Sequence, residues 1–225
     1  SGLDYGIDEK NPSLPKHWYA RNSDGYYLRP EIRGKMLEKQ AEEAAKKKAA
    51  EEAARKAWEE SHKDILSRFD PSNPITAGIL KQTDEYFENG YKDIYNSGCF
   101  FMSDLALAQI AAGKTFDAPG VAGIWDDAVK AKCFNDSGDL ARFSKVASIA
   151  LGKLGISDYG FEIDTNSYNG SLVAYIGRMP YGTGYHFALY LTMADNRNPY
   201  YNPGQTNNDV GLWRPVYLYP TTTKK

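Results

Sequence analysis

The sequence predicts an α+β fold in residues 71–225, preceded by a long charged helix in residues 1–70, and three observations predict it. Helical patterns come first after residue 71, at about 99–113, 120–131 and 138–154. Strand patterns follow, at about 160–166, 171–178, 186–193, 198–202 and 213–219. Helices followed by a run of strands imply α+β architecture with a mainly antiparallel sheet. Between the two halves, Asp70-Pro-Ser-Asn-Pro74 sets two prolines around turn-forming residues, which stops a helix and marks the expected domain boundary.

Residues 1–30 are polar and turn-rich, with Pro12, Pro15 and Pro30 and the aromatic pairs Trp18-Tyr19 and Tyr26-Tyr27, and are expected to wrap on other elements. From Glu31 to Phe69 the chain reads as one helix. Alanine, glutamate and lysine dominate it, proline is absent, and Gly34 is its only glycine. Glu42-Glu-Ala-Ala-Lys-Lys-Lys-Ala-Ala-Glu-Glu-Ala-Ala-Arg55 places opposite charges at helical spacing. Its stripe of Ala41, Ala45, Ala49, Ala53 and Ala57 buries little area, so the expected role is a solvated spacer, with self-association or partner binding through residues 31–69 as the alternative. Trp58, Ile65, Leu66 and Phe69 mark where this helix meets the globular part.

Composition narrows the function. With 27 basic and 29 acidic residues and no polybasic face, nucleic acid is not an expected partner. No apolar run has the length of a membrane span, and no signal peptide is visible; the opening Ser-Gly leaves room for a targeting segment removed before it. Cys99 and Cys133 make no disulfide framework for a chain this long, although one bridge between them is geometrically open. Two cysteines and three scattered histidines provide no zinc-ligand spacing, and no metal or organic cofactor is called for.

The chemistry-bearing residues lie in the second half. Asn96-Ser-Gly-Cys99 runs into the helical pattern Phe100 to Ala112, placing a thiol where a loop becomes a helix. Unpaired amides at a helix start favour the thiolate. A buried cysteine is also commonly inert, and Cys99 alone does not separate the two readings. His186 opens the alternating stretch His186-Phe-Ala-Leu-Tyr-Leu-Thr192, behind the flexible Gly182-Thr-Gly-Tyr185, and is a candidate base for that thiol. Asn202 follows 16 residues later in Tyr200-Tyr-Asn-Pro-Gly204, a spacing that suits a hairpin out along the His186 strand and back. Asn202 would then reach the second imidazole nitrogen, whereas Asp195 would sit at the far tip of that hairpin.

Taken together, these segments resemble the papain-like bacterial cysteine peptidases that process double-glycine leaders, and their secreted relatives. In that family a Ser-Gly-Cys-Gly-Pro-Thr-Ser element opens the central helix, a Gly-His-Phe-Val element carries the histidine, and an Asn-Asp-Pro-Gly-like element carries the third residue. The counterparts here are Ser97-Gly-Cys-Phe-Phe-Met-Ser103, Tyr185-His-Phe-Ala-Leu189 and Tyr201-Asn-Pro-Gly204. Pro119-Gly-Val-Ala-Gly-Ile-Trp125 and Asp136-Ser-Gly-Asp-Leu140 look similar to the helix and turn that follow the cysteine helix in the family, and Gln82-Thr-Asp-Glu-Tyr86 to its upstream glutamine element. The likeness spans residues 79–219.

The resemblance implies a papain-like fold, Cys99 as nucleophile, His186 as general base, Asn202 as the residue that orients the ring, and Gln82 as the oxyanion-hole side chain beside the Cys99 amide. Three departures stand out: Phe100-Phe-Met102 replaces Gly-Pro-Thr and could narrow the cleft, Asn202 replaces the commoner aspartate, and Gln82 lies 17 residues before Cys99, which requires an intervening loop. The expected activity is hydrolysis of an amide bond in a peptide or a peptidoglycan cross-link, with Tyr181, Tyr185, Tyr200 and Tyr201 lining the cleft. The alternatives are an inert papain-like binding module and a toxin or effector domain of a larger secreted protein. The expected location is secreted or cell-envelope, or cytoplasmic after delivery for an effector.

Overall fold

The computed structural model describes residues 19–22, 25–28, 30–135, 140–163, 170–194, 199–204 and 209–221. Asp195 and most of the Asp136–Leu140 segment therefore lie outside the described residues. The chain divides into two compact units, Ser1–Ala53 and Ala54–Lys225. The division falls within the long helix, upstream of the proline-flanked turn at residues 70–74 where the sequence places it. The cause is visible in the packing of residues 58–69, whose Trp58, Ile65, Leu66 and Phe69 all join the core of the second unit.

The first unit contains a hairpin that the reading of residues 1–30 does not anticipate. Strands β1 (Tyr19–Asn22) and β2 (Gly25–Leu28) pair antiparallel, Tyr19 opposite Leu28 and Asn22 opposite Gly25. Helix α1 (Pro30–Ser61) follows, and every residue from Leu37 to Ala54 is exposed. Its support is local: Lys46 with Glu42 at 2.6 Å, and the longer pairs Lys39–Glu43 and Lys47–Glu51, all spaced four apart.

The expected helix through Phe69 is interrupted at His62, and α2 (Lys63–Leu66) resumes beyond it. At the break, Ser61 Oγ donates to the Trp58 carbonyl at 2.8 Å and the His62 ring stacks on Trp58 at 4.4 Å. The Ser61 hydroxyl shares the Trp58 carbonyl with the His62 amide and so competes with the regular backbone ladder there. A 3-10 helix (Pro74–Gly78), α3 (Glu85–Gly90) and α4 (Lys92–Ser97) precede the central helix α5 (Cys99–Ala112). Then come α6 (Ala118–Lys130) and α7 (Phe143–Lys153). Helix α7 starts five residues later than expected, because the Ala141 and Arg142 amides turn back to the Cys133 carbonyl.

Four strands, β3 (Tyr159–Ile163), β4 (Ser171–Tyr181), β5 (Gly184–Tyr190) and β6 (Leu212–Pro220), form one antiparallel sheet in the order β3-β6-β4-β5. The α+β class is therefore as the sequence predicts. The expected strand at 198–202 is reduced to one bridge between Tyr201 and Leu189, flanked by Pro199 and Pro203, which cannot donate to a ladder.

Helix α5 is apolar on all sides, and Cys99 to Ala111 are all buried. A helix without a polar face belongs inside a domain. Helix α7 packs on one side of it and β5 on another, and Phe100 stacks on Phe187 of β5 at 4.7 Å. This central position fixes where Cys99 sits.

Candidate active site

Cys99 is the first residue of α5. Helix α4 runs almost directly into it through Gly98, whose amide bonds the Ile94 carbonyl at 2.9 Å. A Cβ at position 98 would fall 2.5 Å from that same carbonyl oxygen, so the junction admits only glycine. The helix start carries no side-chain cap, which leaves its first backbone N–H groups for other acceptors. Burial pushes the Cys99 thiol above its ordinary value, and the backbone N–H groups of Phe187, Phe100 and Cys99 itself pull it part of the way back.

His186 is the third residue of β5, opposite Met179 of β4. The bridge between Leu189 and Tyr201 runs the following segment back antiparallel along β5, so that Asn202 reaches the histidine. The His186 Nε2–H donates to Asn202 Oδ1 at 2.7 Å, and the Gly204 amide donates to the same oxygen at 3.2 Å. A backbone N–H can only donate, so the Asn202 atom at this position must be its carbonyl oxygen. Consequently the ring proton sits on Nε2, and Nδ1 is the basic nitrogen. Gly204 packs close to the Cε1 corner of the ring, and a Cβ there would be 2.7 Å from Cε1. Burial lowers the imidazole below its ordinary value, with the Asn202 bond opposing it. Both shifts favour the uncharged forms, the thiol and the neutral imidazole.

Gln82 joins the same site, and the intervening segment is not a loop but the two short helices α3 and α4. Its Nε2 donates to the Tyr95 carbonyl at 2.9 Å, which orients the amide and leaves one N–H of that nitrogen uncommitted among the described residues. Its Oε1 is buried without a partner among the described residues. The Gln82 amide donates to the Pro203 carbonyl at 3.0 Å, and Lys81 Nζ donates to the Asn202 carbonyl at 2.5 Å. The segments holding Gln82 and Asn202 are therefore tied together.

A cavity of about 650 Å³ is lined by Cys99, His186 and Gln82, with Phe100, Phe101 and Trp125 among its aromatic walls. Bulky residues after the cysteine do not fill the cleft. Phe100 stacks between Phe187 and Phe143, Phe101 stands edge-on to Trp125 at 5.0 Å, and Met102 is buried in the core. Cys99 keeps 7 % of its surface exposed, toward this cavity. Asn202 reaches the site through the ring of His186.

Of the four tyrosines expected along the cleft, Tyr181 and Tyr185 line it and are exposed at 61 % and 56 %. Tyr200 and Tyr201 do not. Their hydroxyls turn inward to the Arg68 and Leu80 carbonyls, and Tyr201 is buried, because the bridge to β5 places both under the segment rather than on it. Sequence reasoning did not single out Arg178, which also lines the cavity. Counting back across the two-residue turn Gly182-Thr183 would have found it, since Arg178 pairs with Phe187, the residue after His186.

Both cysteines are free thiols, and no group of three or more histidine, cysteine or acidic residues among the described residues could hold a metal ion. No helix among the described residues is long and apolar enough to cross a membrane. No protein-family model matches this sequence, and neither a curated protein nor a solved structure matches it, so the reading of this site rests on its own geometry.

Proposed function

We propose that the protein is a cysteine hydrolase of papain-like organisation that cleaves an amide bond in a peptide or a peptidoglycan cross-link. The observation that carries the reading is the 2.7 Å bond from His186 Nε2 to Asn202 Oδ1, on a ring that shares one cavity with the thiol of Cys99. In this reading Nδ1 takes the thiol proton as Sγ attacks the carbonyl carbon. Backbone N–H groups at the start of α5 and the second N–H of Gln82 Nε2 receive the oxyanion. The imidazolium then protonates the leaving amine, and the acyl group stays on sulfur. The neutral ring next deprotonates water, whose attack releases the acid and restores the thiol. Asn202 keeps the ring in the Nε2–H tautomer throughout.

A thiol that begins protonated favours general-base activation over a preformed ion pair. The test is alkylation of Cys99 by iodoacetamide, located by peptide mapping, in the native protein and in His186→Ala. Loss of the base should slow alkylation by at least about tenfold near neutral pH. Equal rates in the two proteins would remove the proposal and leave an inert module. Cys133 is no internal standard, because it is fully buried. With a cleavable peptide in hand, Cys99→Ala is expected to abolish turnover while the circular dichroism spectrum is retained.

A further inference from the structure

Arg178 stands half-buried on β4 in the wall of the same cavity as Cys99 and His186. Its guanidinium lies over the ring of Tyr185 at 4.2 Å from the centroid. A ring face engages the cation without using the in-plane N–H donors. No carboxylate takes those donors among the described residues, and no acidic residue among them lines the cavity. Arg55, Arg68 and Lys153, by contrast, each meet a carboxylate. A guanidinium fork stacked on a ring at the wall of a cleft is suited to a planar, bidentate anion.

We propose that Arg178 is a specificity-determining residue which selects substrates carrying a carboxylate close to the scissile amide. The inference rests on the reading of Cys99 and His186 as a hydrolytic pair. Register supports it: Arg178 is directly opposite Phe187, the residue that follows His186 and stacks on Phe100 beside Cys99. The guanidinium is therefore held within a residue or two of the reacting centre, on a strand rather than a loop. The Tyr185 ring packs against it, and Tyr181 lines the same wall. The carboxylate could belong to an aspartyl or glutamyl side chain or to a free chain terminus, since both present the same two oxygens.

The test compares two small alkylating agents at Cys99, the anionic iodoacetate and the neutral iodoacetamide, by peptide mapping in the native protein, Arg178→Gln and Arg178→Lys. The iodoacetate-to-iodoacetamide rate ratio is expected to fall about fivefold in Arg178→Gln. It should be kept only in part in Arg178→Lys, which restores the charge without the planar fork, and the native preference should shrink as salt is raised. A purely structural role for Arg178 would lower both rates together and leave the ratio unchanged, which overturns the proposal. Slow alkylation by both agents in the native protein as well would instead remove the hydrolase reading itself. The source of the carboxylate is read from protection of Cys99 against iodoacetamide by three N-acetylated tripeptides at millimolar concentration. Protection by Ala-Glu-Ala amide assigns an acidic side chain, and protection by Ala-Gln-Ala free acid assigns a terminus. Protection by Ala-Gln-Ala amide equal to both, or by none of the three, counts against selection of an anion.

Discussion

At the scale of single residues, the imidazole of His186 is held by two neighbours on one short turn, Asn202 at Nε2 and Gly204 close to Cε1. The second contact leads to a prediction. Gly204→Ala puts a methyl group 2.7 Å from Cε1, so the ring or the turn must move. Displacement by about an ångström can cost on the order of a hundredfold in rate. Gly204→Ala is accordingly expected to cut Cys99 alkylation ten- to a hundredfold while changing the urea midpoint little. The pH dependence follows from burial. Because the folded-state imidazole is held below its ordinary value, the acid limb of Cys99 alkylation should have its midpoint below about 6.5. Asn202→Ala should move that limb lower still, since the lost bond is the one that raises it. The same shift affects stability. The unfolded chain binds the proton first, so the contribution of His186 is complete above the unfolded value and is lost as pH falls through it toward the folded one. A thermal-melt series from pH 8 to pH 5, native against His186→Phe, reads this term as a steeper acid decline in the native protein.

At the scale of elements, α5 places both a nucleophile and an anomaly. Asp104, one turn beyond Cys99, is completely buried, and neither carboxyl oxygen has a hydrogen-bond partner among the described residues. Burial pushes its carboxyl well above the usual range, with only the Ala147 backbone on α7 acting in the opposite sense. The folded state therefore holds a proton that the unfolded chain gives up near pH 4, and stability falls as pH rises from there toward the folded value. Asp104→Leu removes two orphaned oxygens and is expected to stabilise the protein at neutral pH by about 1–3 kcal/mol, with a flatter pH profile in urea denaturation. The sequence made α5 easy to read, because twelve apolar and small residues among its fourteen leave no polar stripe, but it concealed Asp104 among them. The strand bearing His186 was legible from alternation, and Asn202 from the length of a hairpin. Helices α3 and α4 were not, since six residues each carry too few apolar positions to show a period. Their available signal was Asp84, whose side chain caps α3 by accepting from the Tyr86 amide at 3.0 Å. Arg178 was missed for a different reason: nothing in its local sequence marks it, and only strand pairing brings it to the cavity.

At the scale of the molecule, the long helix changes character along its length. Up to Ala54 it is a solvated rod with ion pairs worth only tenths of a kcal/mol each. Beyond that point it belongs to the core, through Trp58, Ile65 and Phe69 and through Ser171, whose hydroxyl donates to Glu59 at 2.7 Å. A chain beginning at Ala54 should keep the urea midpoint of the native protein. One beginning at Pro71, where the sequence sets its boundary, should lose several kcal/mol, since burial of even one isoleucine contributes about 2–5 kcal/mol. Equal midpoints would show residues 54–70 to be dispensable. Composition made the rod legible, but the handover to the core is visible only in three dimensions, because it depends on which aromatic residues find partners. The junction at Gly98 bears on how such a protein can diversify. With a neighbouring carbonyl oxygen where any side chain would begin, a library randomised at that codon and screened for folded protein should return glycine alone. Novelty in what the cleft accepts has to arise elsewhere along its rim, at Phe101, Tyr181 or Tyr185, while the residue next to the sulfur stays invariant.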